Sequence, residues 1–322
     1  MSAEMLAGDS LDPQIRRFVD ALARAWAEYP AMNSLPVAEK RRIAEIVRAP
    51  WRRGGPEMAE TREISLPTRH GPVRARTYRP AVGAAVQPGI VYLHGGGWMM
   101  FSLDTHDRVM REFAARARAT VVGIDYALSP DVKFPFALEQ IVDAVRALRE
   151  QAADLGLDVA RLAIGGDSAG ANLSVATSLV LRDLGASQWL RGMLLIYGCY
   201  APEISDAAAN GFGAEGNLLT AAEMASFWFN YLERPGEARN PLVSPMRAEL
   251  AGLPPAFLIG AQCDVLAEQS IAFAAKLRAA GVSADLVEYP GATHSFLEAV
   301  SVSELADRAI TDGAAWLSRL FV

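Results

Sequence analysis

The stretch Leu162-Ala163-Ile164-Gly165-Gly166-Asp167-Ser168-Ala169-Gly170-Ala171-Asn172-Leu173 decides the fold. Its first residues are small or apolar and of strand length. After Gly-Asp-Ser-Ala-Gly, the residues Leu173, Ala176, Leu179 and Val180 fall at helical spacing. A strand that turns straight into a helix between glycines is the setting of a nucleophile elbow. Small neighbours allow a strained serine whose hydroxyl projects, and the helix N-terminus behind it favours developing negative charge. The plainer alternative for these residues is a serine that only caps the helix.

Outward from this point the chain alternates between short apolar runs and amphipathic stretches. Strands are expected at Ile90–Leu93, Thr120–Asp125, Leu162–Gly165, Gly192–Tyr197, Ala256–Gly260 and Asp285–Tyr289. Helices are expected between most of them, at His106–Arg118, Phe136–Ala153, Ala169–Leu184 and Val265–Ala280, with Ser303–Leu320 closing the chain. Nearly all-apolar strands in this rhythm predict an α/β fold, a mostly parallel sheet covered on both faces. Ahead of it, Glu63–Leu66 and Val73–Tyr78 alternate as half-buried strands around His70-Gly71-Pro72. The first sixty residues read as two helices, one carrying Leu11, Ile15, Phe18, Val19, Leu22 and Trp26, the other running from Val37 to Arg48. Between Tyr200 and Leu253 the rhythm breaks, with no strand and one helical stretch at Ala221–Leu232. Insertions of that size are commonly lids. The expected organisation is a helical segment 1–60, a core of 61–199 and 254–322, and a cap insertion 200–253.

Bulk properties exclude several classes. The net charge of −6 and the lack of any basic run longer than Lys40-Arg41-Arg42 argue against nucleic-acid binding, and that triplet reads as a solvated helix face. No apolar run approaches the ~18 residues of a membrane span, and Met1–Ser10 lacks the features of a secretory signal. Cys199 and Cys263 each follow an apolar run and read as buried free thiols, which points to a cytoplasmic protein. No metal site or cofactor motif is expected, because no His/Cys/Asp cluster has ligand spacing and the glycine motifs lack a Walker or dinucleotide pattern.

Three further features bear on chemistry. His94-Gly95-Gly96-Gly97-Trp98 follows the strand Ile90–Leu93, and consecutive glycines leave N–H groups free to converge on an oxyanion. Of four histidines only His294 follows both the serine and the last strand. Triads on this kind of fold run serine, acid, histidine. The expected acid is Asp264, at the end of the preceding strand, with an N-cap as its alternative role and Glu268 in reserve. Trp98, Met99, Phe212 and Trp228 are the candidate substrate-binding residues, with Met100, Phe101, Phe227 and Phe229 nearby in sequence. Bulky residues at helical spacing also read as core.

Together the HGGG-Trp, the GDSAG and the Asp264…His294 pair resemble the hormone-sensitive-lipase-like α/β-hydrolases, and among them the bacterial acetyl esterases. The resemblance runs from about residue 61 to the C-terminus. It takes in Asp104-Thr105-His106-Asp107-Arg108, Asp125-Tyr126-Ala127-Leu128-Ser129-Pro130 and Lys133-Phe134-Pro135. It implies a serine esterase acting on a small short-chain ester, with Ser168, His294 and Asp264 as triad and Gly96, Gly97 and the Ala169 amide as oxyanion hole. It further implies a structural His94, a cap made of the N-terminal helices and the insertion, and a homodimer. Amide or lactone hydrolysis would use the same parts. The chain departs from the family's usual Asp-Pro-Leu-x-Asp-Glu at Asp264-Val265-Leu266-Ala267-Glu268, and has Ala127 where the family has an arginine.

Overall fold

A computed structural model describes residues 10–322. The stretch Met1–Asp9, on which the expectation of no secretory signal chiefly rests, lies outside them. Among the described residues eight strands form one sheet: β1 (Met58–Leu66), β2 (Val73–Pro80), β3 (Gln87–Leu93), β4 (Thr120–Ile124), β5 (Leu157–Asp167), β6 (Gly192–Ile196), β7 (Ala256–Cys263) and β8 (Ala284–Thr293). Their order across the sheet is β1-β2-β4-β3-β5-β6-β7-β8. Only β1 with β2 and β2 with β4 are antiparallel; from β4 to β8 every pair is parallel. The helices are α1 (Pro13–Ala27), α2 (Val37–Arg48), α3 (Asp107–Ala117), α4 (Phe136–Glu150), α5 (Ala152–Leu155) and α6 (Ala169–Asp183). They continue with α7 (Asp206–Asn210), α8 (Ala221–Tyr231), α9 (Ala267–Ala279) and α10 (Glu304–Leu320).

The two-residue period of the strands builds two cores. In β3, Val91 and Leu93 join the cluster that holds α4, α6 and α9, while Ile90 and Tyr92 join the one holding α3 and α10. Central strands are buried on both faces, which is why their sequences are apolar throughout rather than alternating. Some strands are longer than expected because their ends continue the ladder, as Leu157 does against Gln87.

Helix starts follow capping chemistry. Asp12 Oδ1 accepts from the N–H groups of Gln14 and Ile15 at 2.8 and 3.2 Å, with Pro13 in the first turn. Thr220 and Glu223 form a reciprocal capping box that opens α8. Helix α1 is not a loose appendage: Ile15, Phe18 and Leu22 are fully buried in the cluster containing Tyr289 and Phe296. Burial of each such side chain contributes roughly 2 kcal/mol. Between β6 and β7 there is no strand; this segment carries α7, α8 and two short 3-10 turns. Among the described residues no helix is long and apolar enough to cross a membrane, and Cys199 and Cys263 are buried free thiols.

Candidate active site

Strand β5 lies between β3 and β6, so its carboxyl end delivers Ser168 to the middle of the sheet edge. Ser168 has φ 54° and ψ −118°, a left-handed conformation costly for a residue with a Cβ, and α6 begins at the next residue. Gly170 makes this turn possible: a Cβ there would stand 1.8 Å from the Leu93 carbonyl oxygen. The expected elbow is therefore formed, with its serine held by packing rather than used as a cap: no N-cap hydrogen bond is made by the Ser168 side chain.

His294 follows β8, and its Nδ1 lies 2.7 Å from Asp264 Oδ2. Both partners are buried. The other Asp264 oxygen, Oδ1, accepts from the Leu266 N–H at 3.0 Å. The two readings of Asp264 thus coincide, one oxygen holding the turn into α9 and the other holding the imidazole. Glu268 is exposed and makes no such contact. With Nδ1 committed, Nε2 is the ring nitrogen left for chemistry. Tyr197, also left-handed at φ 33°, packs its ring 4.9 Å from that of His294.

Ser168, His294, Gly96 and Gly97 line one cavity of about 490 Å³. The amides of Gly96 and Gly97 donate to no other group among the described residues, and the Ala169 N–H stands at the unpaired first turn of α6. The glycines turn because the Gly96 carbonyl accepts from both Met99 and Met100 N–H, at 3.1 and 2.9 Å. A Cβ on Gly97 would collide with the Phe227 ring at 2.2 Å, so only glycine lets α8 close down on this loop. Among the described residues six non-glycine positions have positive φ, and Trp98, Phe101, Ser168, Tyr197 and Ser295 all lie at or beside this cavity. Strain of that kind, about 1–3 kcal/mol per residue, collects where the surrounding fold over-determines a functional geometry.

Behind the glycine loop lies a second buried histidine–carboxylate pair that the motif reading did not single out. Asp167 Oδ1 accepts from the Gly95 N–H at 3.0 Å and the Tyr92 hydroxyl at 2.9 Å, and its Oδ2 lies 3.3 Å from His106 Nε2. Thr105 Oγ1 meets His106 Nδ1 at 2.9 Å. Burial works against both charges, yet the mutual attraction and hydrogen bonds win: the Asp167 carboxyl is held below the usual range and His106 above it. His94 is pushed down to about 4, by burial first and then by the neighbouring His106 charge. It stacks on Tyr126 at 4.6 Å, and its carbonyl accepts from the Tyr126 hydroxyl. The signal for Asp167 was present in the sequence, as a charged residue at the end of an otherwise apolar strand.

The substrate-binding expectations divide. Met99 lines the cavity, as do Met100, Phe101 and Phe227. Trp98 and Trp228 do not. The Trp98 ring stacks on Tyr231 at 4.3 Å and lies 4.4 Å from that of Trp228, all three buried. Their ring faces are occupied by one another and by Tyr231, and neither lines the cavity. Phe212 lies in a separate cleft with Gln262 and Glu268. The remaining wall comes from residues with no motif to mark them, including Val19, Trp26 and Met32 of the N-terminal segment and Asn217, Leu218 and Leu219 before α8. The solvated-face reading of Lys40-Arg41-Arg42 also fails at Arg41, whose side chain is 22% exposed and is spent on backbone carbonyls of other segments. Among the described residues no group of three or more His, Cys, Asp or Glu could hold a metal ion.

A strained elbow serine, a histidine fixed by an acid and free loop amides around one cavity define a hydrolase built on an α/β sheet. Residues 90–298 match a family described as having the alpha/beta hydrolase fold. A hyperthermophilic esterase from the archaeon Pyrobaculum calidifontis is 33% identical, superposes with a TM-score of 0.89, and the match covers 97% of this chain and 99% of that one. A thermophilic, thermostable carboxylesterase cloned from a metagenomic library is also 33% identical, with a TM-score of 0.86 over 90% of this chain and 99% of its own. A thermostable esterase from Pseudomonas putida is 27% identical, with a TM-score of 0.88 over 97% and 98%. The chain belongs to the α/β-hydrolase family, in its hormone-sensitive-lipase-like group of carboxylic ester hydrolases.

Proposed function

We propose that the protein hydrolyses short-chain, acetyl-like acyl esters through a Ser168–His294–Asp264 triad and an acyl-enzyme intermediate. The observation that carries this reading is the shared cavity of Ser168 and His294, with the histidine's far nitrogen bound to Asp264. His294 Nε2 takes the Ser168 proton as Oγ attacks the ester carbonyl. The carbonyl oxygen becomes an oxyanion, accepting hydrogen bonds from the Gly96, Gly97 and Ala169 amides. Collapse breaks the bond to the alcohol, which leaves with the proton from His294. Water, deprotonated by the same nitrogen, then attacks the acyl-enzyme, and the acid departs as Ser168 regains its proton. Asp264 fixes the tautomer and stabilises the imidazolium.

The short-chain preference is supported by the bulk around the glycine loop: Met99, Phe101 and Phe227 line the cavity, together with Trp26 and Leu219. The N-terminal helices α1 and α2 and the insertion 200–253 form the cap in this reading, since both regions contribute residues to the cavity lining. A small-molecule ester is the partner, and the buried free cysteines fit a reducing, cytoplasmic setting. Light scattering of the purified protein tests the homodimer that family resemblance implies.

A fluorophosphonate probe followed by peptide mapping should place one adduct on Ser168, and Ser168→Ala should lose both labelling and turnover of p-nitrophenyl esters. Retained turnover in that variant would overturn the triad. Rates from acetyl to decanoyl esters should peak at the short end; a decanoyl maximum would rule out the chain-length assignment.

A further inference from the structure

Three side chains spaced i, i+4, i+7 on α2 meet the segment that follows the glycine loop. Arg41 donates from Nε to the Met99 carbonyl at 2.8 Å and from a terminal nitrogen to the Ser129 carbonyl at 2.7 Å. Glu45 accepts from the Ser102 hydroxyl at 2.6 Å, and Arg48 lies over the Phe101 ring at 4.8 Å. Ala44, on the same face, packs with Met99 and Met100.

Arg41 occupies the decisive point. The Gly96 carbonyl is turned back by the Met99 and Met100 amides, which leaves the Gly96 and Gly97 N–H groups free for the cavity. The Met99 peptide that closes this turn is held on its other side by Arg41 Nε. The Ser129 N–H donates to the Trp98 carbonyl at 2.8 Å, while the Ser129 carbonyl accepts from Arg41. One planar guanidinium therefore ties the glycine turn to the loop that supports it, a fork geometry that the point charge of lysine cannot reproduce. Its third contact, with Asp131, is different in kind, because Asp131 is 66% exposed.

We infer that Arg41 is a positioning residue for the oxyanion hole, so that the α2 helix, beyond walling the cavity, sets the donor geometry of Gly96 and Gly97. The inference rests on the oxyanion-hole assignment proposed above. It ties catalytic competence to the docking of α2: when that helix lifts, the Met99 clamp opens and the amides lose their aim.

The test compares Arg41→Met, Arg41→Lys and Asp131→Asn on p-nitrophenyl acetate, together with the affinity for a trifluoromethyl ketone, which forms the oxyanion without turnover. Arg41→Met should lower kcat by about 10- to 100-fold with little change in KM, and weaken the ketone by a similar factor. Arg41→Lys should recover part of both, added guanidinium should partly rescue Arg41→Met, and Asp131→Asn should match the parent. An unchanged kcat in Arg41→Met overturns the inference, as does a fall in kcat with unchanged ketone affinity. If Arg41→Met fails to fold, Arg41→Lys decides: full kcat and ketone affinity in that variant overturn it too. Ser168→Ala run alongside separates the two layers. Activity lost in Ser168→Ala but kept in Arg41→Met sinks only the clamp, whereas activity kept in Ser168→Ala sinks the triad beneath it.

Discussion

Two histidine–aspartate pairs flank the serine, and they are built from the same groups for different ends. His294 meets Asp264 at 2.7 Å through Nδ1 and shares a cavity with Ser168. His106 meets Asp167 at 3.3 Å through Nε2, and its other nitrogen is occupied by Thr105. The first pair leaves a nitrogen for substrate chemistry. The second leaves none and is sealed under the glycine loop, where its carboxylate anchors the Gly95 amide. A buried His–Asp contact is therefore no signature of catalysis in itself. What separates the two pairs is the second ring nitrogen and the space it faces.

The sharpest way to break this contrast is to remove each imidazole. His294→Ala should reduce kcat on p-nitrophenyl acetate by roughly 10⁴- to 10⁶-fold, while His106→Asn should retain activity within about one order of magnitude. Comparable losses in steady-state kinetics would erase the distinction. The acids offer the next largest difference. Asp264→Asn should cost about 10⁴ in kcat with the fold intact. Asp167→Asn should instead lower unfolding stability by about 3–5 kcal/mol in urea titrations, since it strands the buried His106 charge.

A smaller effect separates the cavity from the aromatic core beside it. Phe227→Ala opens the wall at Gly97 and should shift the acyl preference toward longer chains by about tenfold in relative kcat/KM. Trp98→Phe, in the sealed stack, should leave that preference in place and lower Tm instead.

The finest test uses pH. His106 is raised above its ordinary 6.5, so its contribution to stability is fully present below 6.5 and fades as pH climbs through the raised value. Asp167 is lowered from 3.8, so its contribution is present above 3.8 and fades as pH falls through the lowered value. The Tm gap between the parent and His106→Asn should be widest between those limits and narrow as pH climbs through the raised His106 value. A gap that widened with alkalinity would show His106 to be buried neutral.

Much of this architecture was legible beforehand because it depends on local rules. Central strands must be apolar on both faces, and an elbow needs small residues around its serine, so β3 to β8 and Ser168 stood out in the sequence. Asp264 and His294 were accessible through chain order. What escaped depends on facing rather than composition. Trp98 and Trp228 have the bulk of pocket walls, and only the stack on Tyr231 shows that their surfaces are used up. Asn217 and Leu219 lie in a turn with no periodicity, yet they line the cavity. Arg41 sat in a basic triplet that resembles any solvated helix face, and its carbonyl partners are 58 and 88 residues away. Contacts across such separations leave no local trace.

The docking of α1 bears on how freely such proteins can be recombined. Ile15, Phe18 and Leu22 share a cluster with Tyr289 and Phe296, which flank the His294 segment, and the Asp12 N–H donates to the Gly291 carbonyl at 3.0 Å. Helix α1 and its cap are thus welded to the far end of the chain that supplies His294. A hybrid that borrowed its first sixty residues from a relative would inherit a mismatched surface at β8, so the two ends can be exchanged only as a matched set.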